Sequence, residues 1–242
     1  RIAIAQIFSD RPAARIDELR ADPAVRVDVL RTLGELYYRL GVFDRSESLL
    51  RQALQEALAA FGADDPHTLL SQASLGYLLT DASRHAEAES VIRQSLAGSR
   101  KHGGPAEIAR ALDAFAHLRY EQSRYTESRA LRKEQLALAT RLHGASSEQV
   151  AELLNSLGAC ELQLENFDAA RGLLVSALQM QRRLFGTLHP SVANTVGLLA
   201  SLELRQGRTA AAEPYERESL AIRMHVLGER HPDVALSQEQ LA

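Results

Sequence analysis

Gly62, Gly103, Gly144, Gly186 and Gly228 are spaced 41, 41, 42 and 42 residues apart. This recurrence constrains the fold more than any other feature of the chain. Each glycine is read as a helix stop, at a position that tolerates positive φ. A helix start follows within four residues at Pro66, Pro105, Pro190 and Pro232, because the N–H that proline lacks is unused in a first turn. The fourth segment starts with Ser146 and Ser147 instead, which are N-cap residues. A period in this range means one supersecondary unit per repeat, each covering the apolar side of its neighbour.

Every segment is broken once in its middle, near Phe43, His85, Tyr125, Phe167 and Thr209. Stacking on those breaks gives five helix–turn–helix units. One first-helix column is always small: Gly34, Gly76, Ala116, Gly158 and Ala200. The residue before it is always large and apolar. A second-helix column, Ser46, Ala88, Ser128, Ala170 and Ala212, is small, and Leu54, Leu96, Leu136, Leu178 and Leu220 form an unbroken leucine column. Small residues let helix backbones approach, and the apolar columns fill the seam. Leu, Ala, Arg, Glu and Gln dominate, all good helix formers. The expected fold is all-α, a right-handed α-solenoid.

The stretch Leu30 to Tyr37, "LRTLGELY", followed by Ser46, Leu50 and Ala53, resembles the tetratricopeptide pattern, with leucine in place of its tryptophan. The repeats are longer than the usual 34 residues and are similar to the 42-residue type of kinesin light chains and many bacterial signalling proteins. Boundaries follow at about 26–64, 65–104, 105–145, 146–187 and 188–229, with a partial sixth repeat at 230–242. Arg132 and Glu216 stand where that pattern wants a large apolar residue, so repeats three and five are expected to pack less tightly there. Residues 1–25 form a helical lead-in or cap, with Asp22-Pro23 as a fresh N-cap. This lead-in resembles the segment after the kinase domain in some large bacterial serine/threonine kinases. The chain begins at Arg1 and is read as part of something longer.

Charge and composition narrow the function. With 28 basic and 31 acidic residues the net charge is -3, against the basic excess a nucleic-acid surface needs. All basic residues but Lys101 and Lys133 are arginine, which suggests a GC-rich bacterial genome; the expected location is cytoplasmic, with an extracytoplasmic one as the alternative because the chain reads as a fragment. No apolar run approaches the roughly 20 residues of a membrane span. Cys160 is the only cysteine, and its column is otherwise leucine, so it is read as a buried thiol. His189 and His231 precede prolines a full repeat apart, too far to share a metal at about 2 Å; they are read as helix caps. Glu87, Glu89, Glu127 and Glu213 are read as solvated carboxylates at helix N-termini. No cofactor, metal or catalytic residue is expected, so the chain is not read as an enzyme.

The resemblance implies ligand contacts on the faces of the first helices, which line the concave groove. Carried onto this sequence, the positions are Arg31, Glu35 and Tyr38 on the first, Tyr77 on the second, and Arg110, Asp113, His117 and Tyr120 on the third. Asn155 follows on the fourth and Asn194 on the fifth, with Arg39, Ala73, Thr80, Glu152, Ala159, Ser201 and Arg205 beside them. Asn155 falls near the asparagine with which relatives bond a peptide backbone. Tyr38, Tyr77, His117 and Tyr120 concentrate rings at the groove, and tyrosine suits interfaces because it pairs rigid area with a polar tip. The expected partner is a protein or peptide. The alternative is a structural module that self-associates through the exposed C-terminal edge.

Overall fold

The computed structural model describes residues 22–228 and Val234. Among these the chain forms ten α-helices and no strand, as the composition and periodicity require. In chain order they are α1 (Pro23–Arg39), α2 (Phe43–Phe61), α3 (Pro66–Asp81), α4 (His85–His102) and α5 (Pro105–Glu121), then α6 (Tyr125–His143), α7 (Glu148–Gln163), α8 (Phe167–Phe185), α9 (Pro190–Arg205) and α10 (Thr209–Leu227). The chain divides into two compact units, α1–α5 ending at Gln122 and α6–α10 beginning at Ser123. Most of the lead-in, and the partial sixth repeat except Val234, lie outside the described residues. Val234 is helical and fully buried.

Helix starts follow the expected chemistry. Pro23, Pro66, Pro105 and Pro190 each occupy the first turn. Asp22, Asp65 and Ser147 cap α1, α3 and α7 by accepting a backbone N–H. His189 caps α9: its Nδ1 accepts the Ser191 N–H at 3.2 Å, while its ring stacks on Phe185 at 4.3 Å.

The stops follow with one correction. Gly62, Gly144, Gly186 and Gly228 all have φ between 80° and 86°, but Gly103 does not. Its φ is -83°, because Gly103 and Gly104 carry the chain through this joint in extended form up to Pro105, the first helical residue. Glycine is needed there for space. A Cβ on Gly103 would sit 2.9 Å from the Ser99 Cα. The turns inside the hairpins also hold a left-handed residue, and three of these are not glycine: Ser83, Ser123 and Glu165, at φ near 60°.

In unit 1, α1 packs on α2 and α3 on α4, while α1, α3 and α5 also touch one another in sequence. In unit 2, α7 pairs with α8 and α9 with α10, and α7 meets α9. The first helices therefore form one layer of each unit and the second helices the other. The small first-helix column is where the layers come closest. A Cβ on Gly34 would lie 2.7 Å from Leu50, and one on Gly158 would lie within 2.7 Å of Leu174. Leu50 and Leu174 are 1% and 0% exposed. The same pairing recurs as Gly76 with Ile92.

This interlock accounts for Arg132 and Glu216. They occupy the column of Leu50, Ile92 and Leu174, in the two repeats whose small residue is alanine. With a methyl already present, a branched side chain no longer fits. A flexible one can lead its charged end outward. Arg132 is nonetheless buried, with its guanidinium bonded to Gln135.

A second set of contacts ties successive repeats, and here Glu89 departs from the solvated role expected of it. The Arg119 guanidinium donates to both Glu89 oxygens, at 2.6 and 3.1 Å. Arg119 is 1% exposed and lies 4.5 Å over the Phe115 ring. At each of the next two junctions the same two columns hold the pair with its charges exchanged. Arg129 donates to Glu161 at 3.2 Å, and Arg171 donates to Glu203. Glu203 also accepts from Arg208. Burial alone would raise its carboxyl, but the two arginines hold it below the ordinary value.

The leucine column is less uniform than the stacking suggests. Leu96 and Leu178 are buried, whereas Leu54 is half-buried beside a surface hollow that it shares with Leu58 and Ala59. Leu174→Ala should therefore cost about 2–5 kcal/mol in a urea melt, as a buried truncation against a glycine, and Leu54→Ala clearly less. Equal losses would mean the interlock is not the tight point of the hairpin.

Candidate functional site

The residues expected on the groove separate into three groups, two in unit 1 and one in unit 2. The first group is a charge cluster. Arg31 pairs with Asp28 at 3.0 Å and with Glu35 at 3.4 Å. Glu35 also accepts from Ser74 at 2.6 Å and from Arg110. The cluster thus links α1, α3 and α5. Burial would raise the Glu35 carboxyl, but Arg110, Ser74 and Arg31 together hold it below its ordinary value.

The second group is a chain of rings. Tyr38 meets Tyr77 edge-on at 5.8 Å, and Tyr77 stacks on His117 at 4.2 Å with the planes 8° apart. Asp81 closes the group. Its carboxylate accepts from the Tyr38 hydroxyl and bonds to His117 Nε2. Burial opposes the charge on Asp81, yet the bonds from His117 and Tyr38 hold its carboxyl below the ordinary value. Asp81 did not figure among the expected site residues. The signal for it lies in the stacked sequence, where Asp81 follows the groove column of Tyr38, Thr80 and Tyr120 by one residue. Tyr120 is half-buried on the same helix as His117, and Asp113 is half-buried between Arg110 and His117.

Asn155 and Asn194 lie in unit 2. Asn194 is exposed. The Asn155 amide is engaged within the unit, with its Oδ1 2.7 Å from the Thr195 hydroxyl. That hydroxyl is equally close to Gln181 Oε1 and 3.1 Å from the Ser191 carbonyl. One hydroxyl proton cannot serve three acceptors, so at least one amide presents its nitrogen to Thr195. Of the flanking positions, Ala73 and Thr80 are buried, with the Thr80 hydroxyl donating to the Gly76 carbonyl. They cannot meet a ligand. Both side chains are taken up in the packing of α3 instead. Arg205 donates to the Leu162 carbonyl at 2.8 Å.

Cys160 is 1% exposed. Burial pushes its thiol up despite the Ser128 hydroxyl 3.5 Å away. Among the described residues no group of three histidine, cysteine or acidic side chains could hold a metal ion, and no helix is long and apolar enough to cross a membrane.

The tetratricopeptide-repeat family profile matches residues 26–101, 107–183 and 149–225. The chain belongs to the tetratricopeptide-repeat family. By structure it is similar to BtubC (BKLC) from P. vanneervenii, at 22% identity and a TM-score of 0.68, over 82% of this chain and 81% of that one. It is also similar to a putative kinesin light chain from Podospora anserina, at 17% identity and a TM-score of 0.67, over 85% and 97%. A third is a signal-transduction ATPase with a tetratricopeptide repeat sensor from Pyrococcus horikoshii. There the identity is 12% and the TM-score 0.74, over 98% of this chain and 35% of that one. These likenesses establish the α-solenoid fold class. No curated protein matches the chain by sequence.

A carboxyl held low in the folded protein stabilises it above the unfolded value of about 4, and that contribution is lost as pH falls through the folded value. The melting midpoint should therefore drop below about pH 4 more steeply in the wild type than in Asp81→Asn with Glu35→Gln. Parallel curves would show that these carboxylates are not stabilising ties. For Cys160, a thiol reagent should label the native protein slowly and the denatured protein fast. Rapid native labelling would contradict its burial.

Proposed function

We propose that the chain is a protein- or peptide-binding scaffold that works through its first-helix faces, as a regulatory interaction module of a cytoplasmic bacterial signalling protein. The observation that carries this reading is the convergence of α1, α3 and α5 on a ring chain and a charge cluster at the surface of unit 1. Tyrosine, histidine and arginine held by one another form a surface with fixed shape and polar tips, which suits recognition rather than bond-making. Asn194 extends amide chemistry to the equivalent face of unit 2, where an exposed carboxamide offers a donor and an acceptor to an extended backbone.

Relatives of the fold support the binding role. A Rap protein complexed with Competence and Sporulation Factor has a TM-score of 0.65 at 16% identity. The archaeal ATPase uses its repeats as a sensor. The bacterial setting is supported by the arginine-dominated basic complement, and the signalling setting by the likeness of the lead-in to the segment following some bacterial kinase domains.

The test is the position dependence of photo-crosslinking. A crosslinking residue should capture a protein or peptide when placed at Arg39 or Asn194, on the first-helix faces. It should not do so at Arg93 or Gln179, which are exposed on the second helices. Preferential capture from the second helices would overturn the groove reading. Products made only of this chain would favour assembly over partner binding.

A further inference from the structure

The ring chain of unit 1 continues past Tyr38. Phe43 meets Tyr38 edge-on at 6.0 Å, so four rings run from Phe43 through Tyr38 and Tyr77 to His117. Phe43 is 52% exposed, and Leu40 and Val42 in the same turn are 60% and 40% exposed. The corresponding turn of the next hairpin reads Ala82-Ser83-Arg84-His85, and the one after it Gln122-Ser123-Arg124-Tyr125. Only the first leaves three large apolar side chains in water beside a set of rings. A contiguous patch of this type marks an interaction site rather than the scattered apolar residues of any surface.

Charge selects the occupant. In the cluster of Arg31, Arg110, Asp28 and Glu35 the charges cancel. At the rings they do not. Asp81 is bonded to a phenol and an imidazole, and no arginine or lysine pairs with it among the described residues. Glu121 is exposed, follows Tyr120 on α5, and makes no ion pair among the described residues. Glu121 stands one residue past Tyr120 on α5, in the register that Asp81 holds one residue past Thr80 on α3, and burial, the bond to Asp81 and nearby negative charge push the Tyr38 phenol up. Arg39 continues the column of Asp81 and Glu121 upstream with the opposite sign, which confines the acidic stretch to α3 and α5. Ring faces and carboxylates together suit a cation on a long stem.

We propose that this end of the unit 1 groove takes a basic and apolar peptide segment. An arginine or lysine of the peptide is held by Asp81 and Glu121 with its stem along the rings, and a neighbouring apolar side chain covers Leu40 and Phe43. The proposal rests on the groove reading above and narrows it to one ligand chemistry.

Selection of random twelve-residue peptides displayed on phage, with the whole chain as bait, tests it. Enriched peptides should place arginine or lysine next to an aliphatic or aromatic residue. A synthetic peptide from that pool should bind roughly tenfold more weakly to the Asp81→Asn, Glu121→Gln double variant, the range a partly exposed charge–ring contact reaches. Its binding should also weaken as salt is raised. Because Asp81 ties helices together, Glu121→Gln alone is the control for folding: it should weaken binding while leaving the melting midpoint unchanged. Acidic or uncharged peptides that crosslink to positions 39 or 194 would overturn this proposal and leave the groove reading standing. Peptides that crosslink only to positions 93 or 179 would overturn both.

Discussion

The structure depends on how closely two helices of a hairpin can approach. Where Gly34 and Gly158 face Leu50 and Leu174, there is no room for a methyl group. The leucine occupies the space that a first-helix Cβ would fill. Burying such a side chain contributes about 1.5–3 kcal/mol, and the close contact adds dispersion along the seam. Ser46 uses the same proximity, donating its hydroxyl to the Gly34 carbonyl at 2.8 Å. A polar residue can therefore occupy the small second-helix column without an orphaned group. Helix separation fixes where each first helix sits, and so which side chains reach the groove surface.

The inter-repeat ion pairs act on a different link. A buried pair gives little net stability, because desolvation offsets most of the attraction, but a buried charge left alone costs about 3–5 kcal/mol. The polarity of the pair reverses between Arg119 with Glu89 and Glu161 with Arg129. The apolar columns repeat almost unchanged along the chain, whereas these charged columns differ from one junction to the next. Unit 1 has no such pair at its first junction, since Leu79 occupies that position; Glu47 bonds instead to Arg51 and Arg84 on the surface, where ion pairs contribute little.

Fold class and helix boundaries were legible because their signals are local and recur five times. A proline after a glycine stop marks a boundary by sterics alone. Gly103 shows the limit: the glycine was read correctly, but its cause is contact with Ser99, which no local rule reveals. The ring positions were legible in part. Tyr38, Tyr77 and His117 were expected on one face, but their mutual stacking and the role of Asp81 depend on distances between hairpins. Ala73 and Thr80 were misplaced because α3 is packed between α1 and α5, which carrying a groove face from one repeat to the next ignores. The ion pairs were written in the stacked columns, where Glu89, Arg129 and Arg171 answer Arg119, Glu161 and Glu203. Reading carboxylates near helix starts as solvated hid that pattern.

The groove side chains of unit 1 are bonded to one another, and that is sometimes taken as a sign that they are structural only. The energetics point the other way. Binding costs about 0.5–1.5 kcal/mol for each rotamer-rich side chain that must be immobilised, and Tyr38, Tyr77 and His117 already hold one another in place. Asp81 gains from the same arrangement. Its carboxylate is fixed by two donors, and a carboxylate has about four lone-pair sites, so acceptor capacity remains for a ligand without breaking either bond. In the charge cluster, by contrast, Glu35 already accepts from Arg31, Ser74 and Arg110. A cation there would also meet the two arginines that already neutralise Glu35 and Asp28, while one at the rings meets no arginine or lysine bonded to Asp81 among the described residues. The two halves of this groove are thus unequal, one closed by its own charges and the other open to a cation.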